Sequence, residues 1–178
     1  MSTETYMALC GVGADRLGLV AEITDYVTER GCNVEDSRMA VLGAEFGVLL
    51  LVSGAAEQVS AVERDLGSLA GKTGLQLVAR KTKSPEEHRA QAGVPYVVAA
   101  QALDHEGIVR AVARALHGAG VNIVSLTTTA YEAPVTGSQL FRMEARVDVP
   151  PGVSGARVRK ALDAVAEAEN LDLELRPA

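Results

Sequence analysis

Aromatic residues are scarce in this chain. Among 178 residues there are four Tyr, two Phe and no Trp. That argues against base-stacking platforms and aromatic ligand cages, which need several rings. Basic residues are in the minority: 17 Lys and Arg stand against 23 Asp and Glu, a formal charge of −6. Such a balance argues against a direct grip on nucleic acid phosphates. Long apolar runs are missing too. The longest near-apolar stretch, Phe46 to Val52, is too short to span a bilayer. The first residues lack a basic segment followed by a long apolar one, so no signal peptide is expected and the expected location is cytoplasmic. Cys10 and Cys32 are the two cysteines, without Cys-x-x-Cys spacing. The expectation is two small buried thiols, neither a disulfide nor a metal site. What the chain does have is 48% hydrophobic residues, enough for a real core.

The chain repeats itself. Asp15, Gly18, Val20, Gly31 and Asn33 recur as Asp104, Gly107, Val109, Gly120 and Asn122, each offset by 89 residues. Leu19/Ile108, Ile23/Val112 and Val34/Ile123 match in kind. Residues of the Asp, Gly and Asn type usually mark turns, so their common frame points to duplicated architecture. Between the copies, Thr82 to Val94 is polar and carries Ser84-Pro85-Glu86-Glu87 and Gly93. It reads as a linker with a possible helical turn from Glu86 to Gln91. The domains are therefore expected at 1–81 and 95–178, with 82–94 between them.

Each half has the same order of elements. In the first, Tyr6 to Gly11 predicts a strand. Leu17, Val20, Ile23 and Val27 predict one face of a helix that Gly31 stops. Asn33 to Leu42 predicts a second strand, whose apolar phase shifts in a way that suggests a bulge. After a turn at Gly43 comes a strand from Glu45 to Ser53, apolar enough to suggest burial on both faces. Val59, Val62, Leu66 and Leu69 predict one further helix, and Leu75 to Lys81 a closing strand. The second half predicts strands at 96–103, 122–131, 140–149 and 171–175, with helices at 107–117 and 156–168. The fold class is thus α+β: two ferredoxin-like βαββαβ domains in tandem, with helices on one face of antiparallel sheets.

The repeated Asp-x-x-Gly lies between the first strand and first helix of each half. Asp15 and Asp104 suit helix N-caps, which is one reading. The other is ligand binding. A glycine in a first helical turn costs roughly 1 kcal/mol against Ala. Its repetition at Gly18 and Gly107 suggests close approach of a packed neighbour or a ligand. A helix start also suits a carboxylate. Asn33 and Asn122, at the start of the next strand, either shape a turn after the glycine helix stop or reach the same ligand. Glu35, Asp36 and Arg38 read either as a solvated, mutually paired strand or as a partner surface.

The Asp-Arg-x-Gly-Leu-Val loop, the helix after it and the Gly-Cys-Asn-Val segment resemble the ACT domain, a small-molecule sensing module. The run Gly31-Cys32-Asn33-Val34-Glu35-Asp36-Ser37-Arg38-Met39-Ala40-Val41-Leu42-Gly43, then Glu45-Phe46, is similar to the family of glycine cleavage system transcriptional repressors. That resemblance implies an amino acid ligand, glycine or similar, held at an interface between domains. It implies loop contacts from Asp15, Arg16, Leu17 and Gly18, with Asn33. In the second half the counterparts are Asp104, His105, Glu106, Gly107 and Asn122. Many ACT loops carry Pro before the Gly, where this chain has Leu17 and Glu106. His105 replaces Arg16, so the two loops should differ.

No catalytic constellation stands out. His88, His105 and His117 lack metal-ligand spacing. The glycines Gly11, Gly13 and Gly18 miss the dinucleotide spacing, and no Walker loop or nucleophile elbow occurs. Cys32 has no visible base and reads as a packed thiol. The expectation is therefore a non-enzyme without cofactor or metal. It would sense a small amino acid and regulate glycine cleavage genes through a protein partner such as a transcriptional regulator, with no membrane contact. The alternatives are an ACT-type interaction module and an accessory regulatory subunit of an amino-acid metabolic enzyme. Exposed sheet edges make a homodimer the expected assembly.

Overall fold

The computed structural model describes residues 4–89 and 93–178. The chain divides into two compact units, Met1–Ala90 and Gln91–Ala178. The first contains β1 (Thr5–Ala14), α1 (Leu19–Glu29), β2 (Asn33–Leu42), β3 (Glu45–Gly54), α2 (Ala56–Arg64), α3 (Leu66–Thr73), β4 (Gln76–Thr82) and the short α4 (Pro85–Arg89). The second contains β5 (Val94–Leu103), α5 (Ile108–Ala119), β6 (Asn122–Glu132), β7 (Gln139–Val149), α6 (Gly155–Glu169) and β8 (Asp172–Pro177). Most of 82–94 is thus taken up by β4, α4 and β5. The Gln91 end of the expected helical turn lies outside the described residues.

Each unit is one antiparallel sheet, in the order β2-β3-β1-β4 and β6-β7-β5-β8. This is the ferredoxin-like order, reached by two right-handed βαβ crossovers. Helices cover one face. Beneath them in the first unit, Met7, Leu9, Ile23, Val27, Leu50, Val52, Val59 and Val62 form a closed apolar core. Val98, Ala100, Val112, Leu116, Met143, Val147, Val158 and Leu162 do the same in the second. Each such large side chain contributes about 1.5–3 kcal/mol by leaving water.

A bulge interrupts β2 between Val34 and Asp36, where the apolar phase had shifted in the sequence. β6 repeats it between Ile123 and Ser125. Gly31, Gly43 and Gly120 all have positive φ and end helices or turn a hairpin.

Four expectations need correction. β3 is buried on one face only: Leu50 is 1% exposed and Leu49 47%, because the helices cover a single side. The second helix of the first unit is two, broken at Asp65; Val59, Val62 and Leu69 stay in phase across the break. Leu17 and Val20 do not belong to the buried face of α1, which is formed by Leu19, Ile23, Tyr26 and Val27. Cys10 is exposed and only Cys32 is buried, since Cys10 points from β1 to the side the helices leave bare.

Candidate functional site

The β1–α1 loop is built the same way in both units. Asp15 N–H donates to Ala44 O at 2.9 Å, and Asp104 N–H to Gln139 O at 2.9 Å. The loop is therefore pinned at its first residue to the neighbouring hairpin. It ends on a glycine that serves as the helix N-cap: Gly18 at φ 92 and Gly107 at φ 98, both left-handed. Glu22 N–H donates to Gly18 O at 3.0 Å, and Ala111 N–H to Gly107 O at 2.9 Å.

The N-cap reading of Asp15 and Asp104 is thus overturned, because the helices start three residues later. Gly18 is not inside the helix either. A Cβ added there would meet only Glu22 Oε1, at 3.8 Å, and one at Gly107 only Arg110 Nη2, at 3.5 Å. Crowding within the unit does not explain these glycines; their positive φ does. One side-chain tip lies in ordinary contact distance over each.

Arg16 braces the first loop. Its guanidinium donates to both carboxylate oxygens of Glu22, at 2.9 and 2.6 Å, and to the carbonyls of Leu17 and Lys72, at 3.2 and 3.0 Å. Lys72 lies in the last turn of α3, so the cation also meets the negative end of a helix. This paired hydrogen bonding holds the Glu22 carboxyl below the usual range. In the second loop His105 takes the same post. Its ring nitrogens lie 3.2 Å from Glu106 O and 3.1 Å from Glu169 O, and Glu169 is the last residue of α6. Those two carbonyls raise its pKa, with smaller help from the charges of Glu169 and Asp104.

Asn33 and Asn122 do not join these loops. Asn33 pairs with Ser53, and Ser53 with Tyr6 near the start of β1. The loop leaves the other end, at Ala14 opposite Glu45. At about 3.3 Å per residue the two ends are roughly 25 Å apart. Asn122 likewise pairs with Asp148, level with Pro95, while its loop leaves beside Leu103. Asn33 instead donates to Glu35 Oε1 at 2.8 Å, an oxygen that also accepts from the buried Ser53 hydroxyl at 2.6 Å. Those bonds, Ser53 first, lower the pKa of Glu35. Asp36 pairs with Arg38. A groove lined by Gln101, Arg142, Glu144, Asp172 and Glu174 includes none of the ten residues singled out in the sequence.

The two loops have different rims. In the first unit Leu17 is 99% exposed and Leu42, in the adjoining hairpin, 77%. Val20 and Val41 are exposed beside them. In the second unit Glu106 stands where Leu17 does. Leu103, Val109 and Val135 are exposed in the second unit as well, so the contrast between the rims is Leu17 against Glu106. Leu17 has two readings in the sequence, a helix-face position and a loop contact; its exposure removes the first.

The model of the ACT domain family matches residues 9–80, covering this loop, both crossovers and all four strands of the first unit. The second unit repeats that topology. The first unit thus matches the ACT domain family, and the second shares its strand order. It is 26% identical over 170 residues to the glycine cleavage system transcriptional repressor of Escherichia coli, covering 96% of this chain and 88% of the relative. A crystal structure of a candidate glycine cleavage system transcriptional repressor superposes with a TM-score of 0.70 at 26% identity, over 98% of each chain. An unknown protein from Galdieria sulphuraria superposes with a TM-score of 0.84 at 32% identity, over 99% of each chain. The likeness spans both units. Among the described residues no group of three or more His, Cys, Asp or Glu could hold a metal ion, and no helix is long and apolar enough to cross a membrane.

Proposed function

We propose that this tandem ACT protein is a non-catalytic amino acid sensor that controls glycine cleavage genes through a protein partner. Glycine or a similarly small amino acid is its ligand. The observation that carries the reading is the first β1–α1 loop: a left-handed Gly18 at the start of α1, with only the Glu22 carboxylate near it, inside a collar of exposed apolar residues. The amides of the first helical turn and the positive end of α1 accept the ligand carboxylate. The exposed Asp15 carboxylate takes its ammonium group. A small ligand suits the space over Gly18, where the Glu22 carboxylate stands 3.8 Å from the position of a Cβ.

Arg16 is reassigned from ligand contact to brace, since its donors are already engaged. Asn33 is reassigned from the first loop's site, because it lies at the other end of its own sheet. The second loop, with Glu106 in the collar and His105 as brace, is the weaker site. The likeness to the repressor and the −6 charge together favour action on transcription through a partner, not through phosphate contact. Ligand then shifts a partner equilibrium only as far as it prefers one state.

Titration calorimetry with a panel of amino acids, glycine first, tests this. Binding that is lost in Asp15→Asn with the fold intact supports the reading. No heat from any amino acid at millimolar concentration rejects sensing and leaves a protein-interaction module.

A further inference from the structure

The face of each sheet that the helices leave bare differs sharply between the units. In the second, the register sets Thr127, Glu144, Ala99 and Glu174 in one cross-strand row, and Thr129, Arg142, Gln101 and Asp172 in the next. Arg176 adds an ion pair to Glu144 at 3.8 Å. That face is charged and suited to water. In the first unit the central row is Arg38, Leu49, Cys10 and Val78; below it run Ala40, Gly47, Val12 and Gln76. Leu49, Val12 and Val78 are 47, 49 and 65% exposed. The same fold thus carries a solvated sheet face in one copy and an uncovered apolar one in the other.

We infer that the bare sheet face of the first unit is an interface on which a second copy of this chain docks, sheet against sheet. The occupant is read from the charges. The row above the central one is Asp36, Leu51, Ala8 and Arg80. It begins with an acid on the β2 edge and ends with a base on the β4 edge. A two-fold axis parallel to the strands turns β2 onto the partner's β4 without shifting the rows. Each Asp36, paired with Arg38 in its own chain, then faces an Arg80 of the other copy; each Leu49 faces a Cys10, and each edge Arg38 a Val78. The acid–base row and the central Leu49–Cys10 pairs are self-complementary, as an isologous interface must be. Four strands and this length of sheet give a footprint of roughly 500 Å² per copy, a total near the lower limit for a specific interface. Facing sheets pack about 10 Å apart, which places Cys10 in the dry centre.

Sedimentation of the full chain, with thiol labelling of Cys10, is the test. The wild type is expected to be a dimer whose Cys10 reacts at least tenfold more slowly than in dilute monomer. Leu49→Arg is expected to sediment as a monomer with an unchanged circular dichroism spectrum. Asp36→Arg should weaken association at least tenfold, and Asp36→Arg combined with Arg80→Asp should restore it. A wild-type monomer, a Leu49→Arg dimer, or equal Cys10 reactivity in dimer and monomer would overturn the interface. Failure of the double reversal would overturn the two-fold arrangement. None of these readouts depends on amino acid binding.

Discussion

Arg16 and His105 occupy matching positions in the two units, and each ties a β1–α1-type loop to the end of the second helical segment of its own unit. Arg16 reaches Lys72 O at 3.0 Å, and His105 reaches Glu169 O at 3.1 Å. One brace keeps its charge at every physiological pH; the other is titratable.

The second loop should therefore loosen as pH rises. Both ring nitrogens of His105 face carbonyl oxygens, and only the imidazolium can donate to both. Its pKa is raised above the ordinary 6.5. A raised folded-state value means the stabilisation is full below about 6.5 and is lost as pH climbs through the folded value. The protection of amides at the start of α5, exchange taken against the free-peptide rate at the same pH, should fall across that window. His105→Arg should abolish that fall, and unchanged protection in the wild type would rule the brace out.

The first loop should respond on the acid side instead. Glu22 has its pKa lowered, chiefly by the hydrogen bonds from Arg16. Its contribution is present above the ordinary 4.5 and lost as pH falls through the depressed value. Glu22→Gln should remove that acid-dependent loss of protection at the α1 amides, measured against the intrinsic rate at each pH, while leaving the neutral-pH fold intact. Arg16→Ala should raise exchange at every pH.

Gly18→Ala and Gly107→Ala should each destabilise their own unit by about 1–2 kcal/mol, the cost of a left-handed L-residue. A Cβ at either position meets nothing closer than 3.5 Å, so the penalty is conformational. Replacement by D-alanine in a semisynthetic chain should be nearly neutral. A large loss with D-alanine would show that space, not φ, requires glycine.

Leu50→Ala should cost about 2–5 kcal/mol, as for a fully buried leucine, and chemical denaturation would read it. Leu49→Ala, one residue away on the bare face, should cost far less in dilute monomer. Equal losses would contradict the one-sided burial of β3.

Much of this architecture was legible in the chain. The 89-residue offset exposed the duplication, and Gly31 and Gly43 fixed turns because their positive φ has few other solutions. The bulge in β2 was visible as a phase shift. What failed did so for physical reasons. The break at Asp65 leaves Val59, Val62 and Leu69 in phase, so periodicity could not show it. Leu17 looked helical because a loop residue near a helix start matches the spacing by accident. The bracing role of Arg16 and His105 needs carbonyls 56 and 64 residues away, which no local pattern reveals. The separation of Asn33 from Gly18 is a matter of register, set by pairing with β3 and not by sequence distance.

The strand that starts each unit lies inside its sheet, between the third and the last strand. A ribosome therefore releases a first unit whose sheet lacks an edge until β4 has emerged, by which time β5 is following. Two strands of like fold, β4 and β8, then compete for like vacancies on β1 and β5, the usual hazard of tandem repeats. Their sequences have parted: Gln76–Thr82 is basic towards its end, whereas Asp172–Pro177 alternates acid with leucine and closes on a proline. Giving β8 the sequence of β4 is therefore expected to lower the yield of correctly refolded chain.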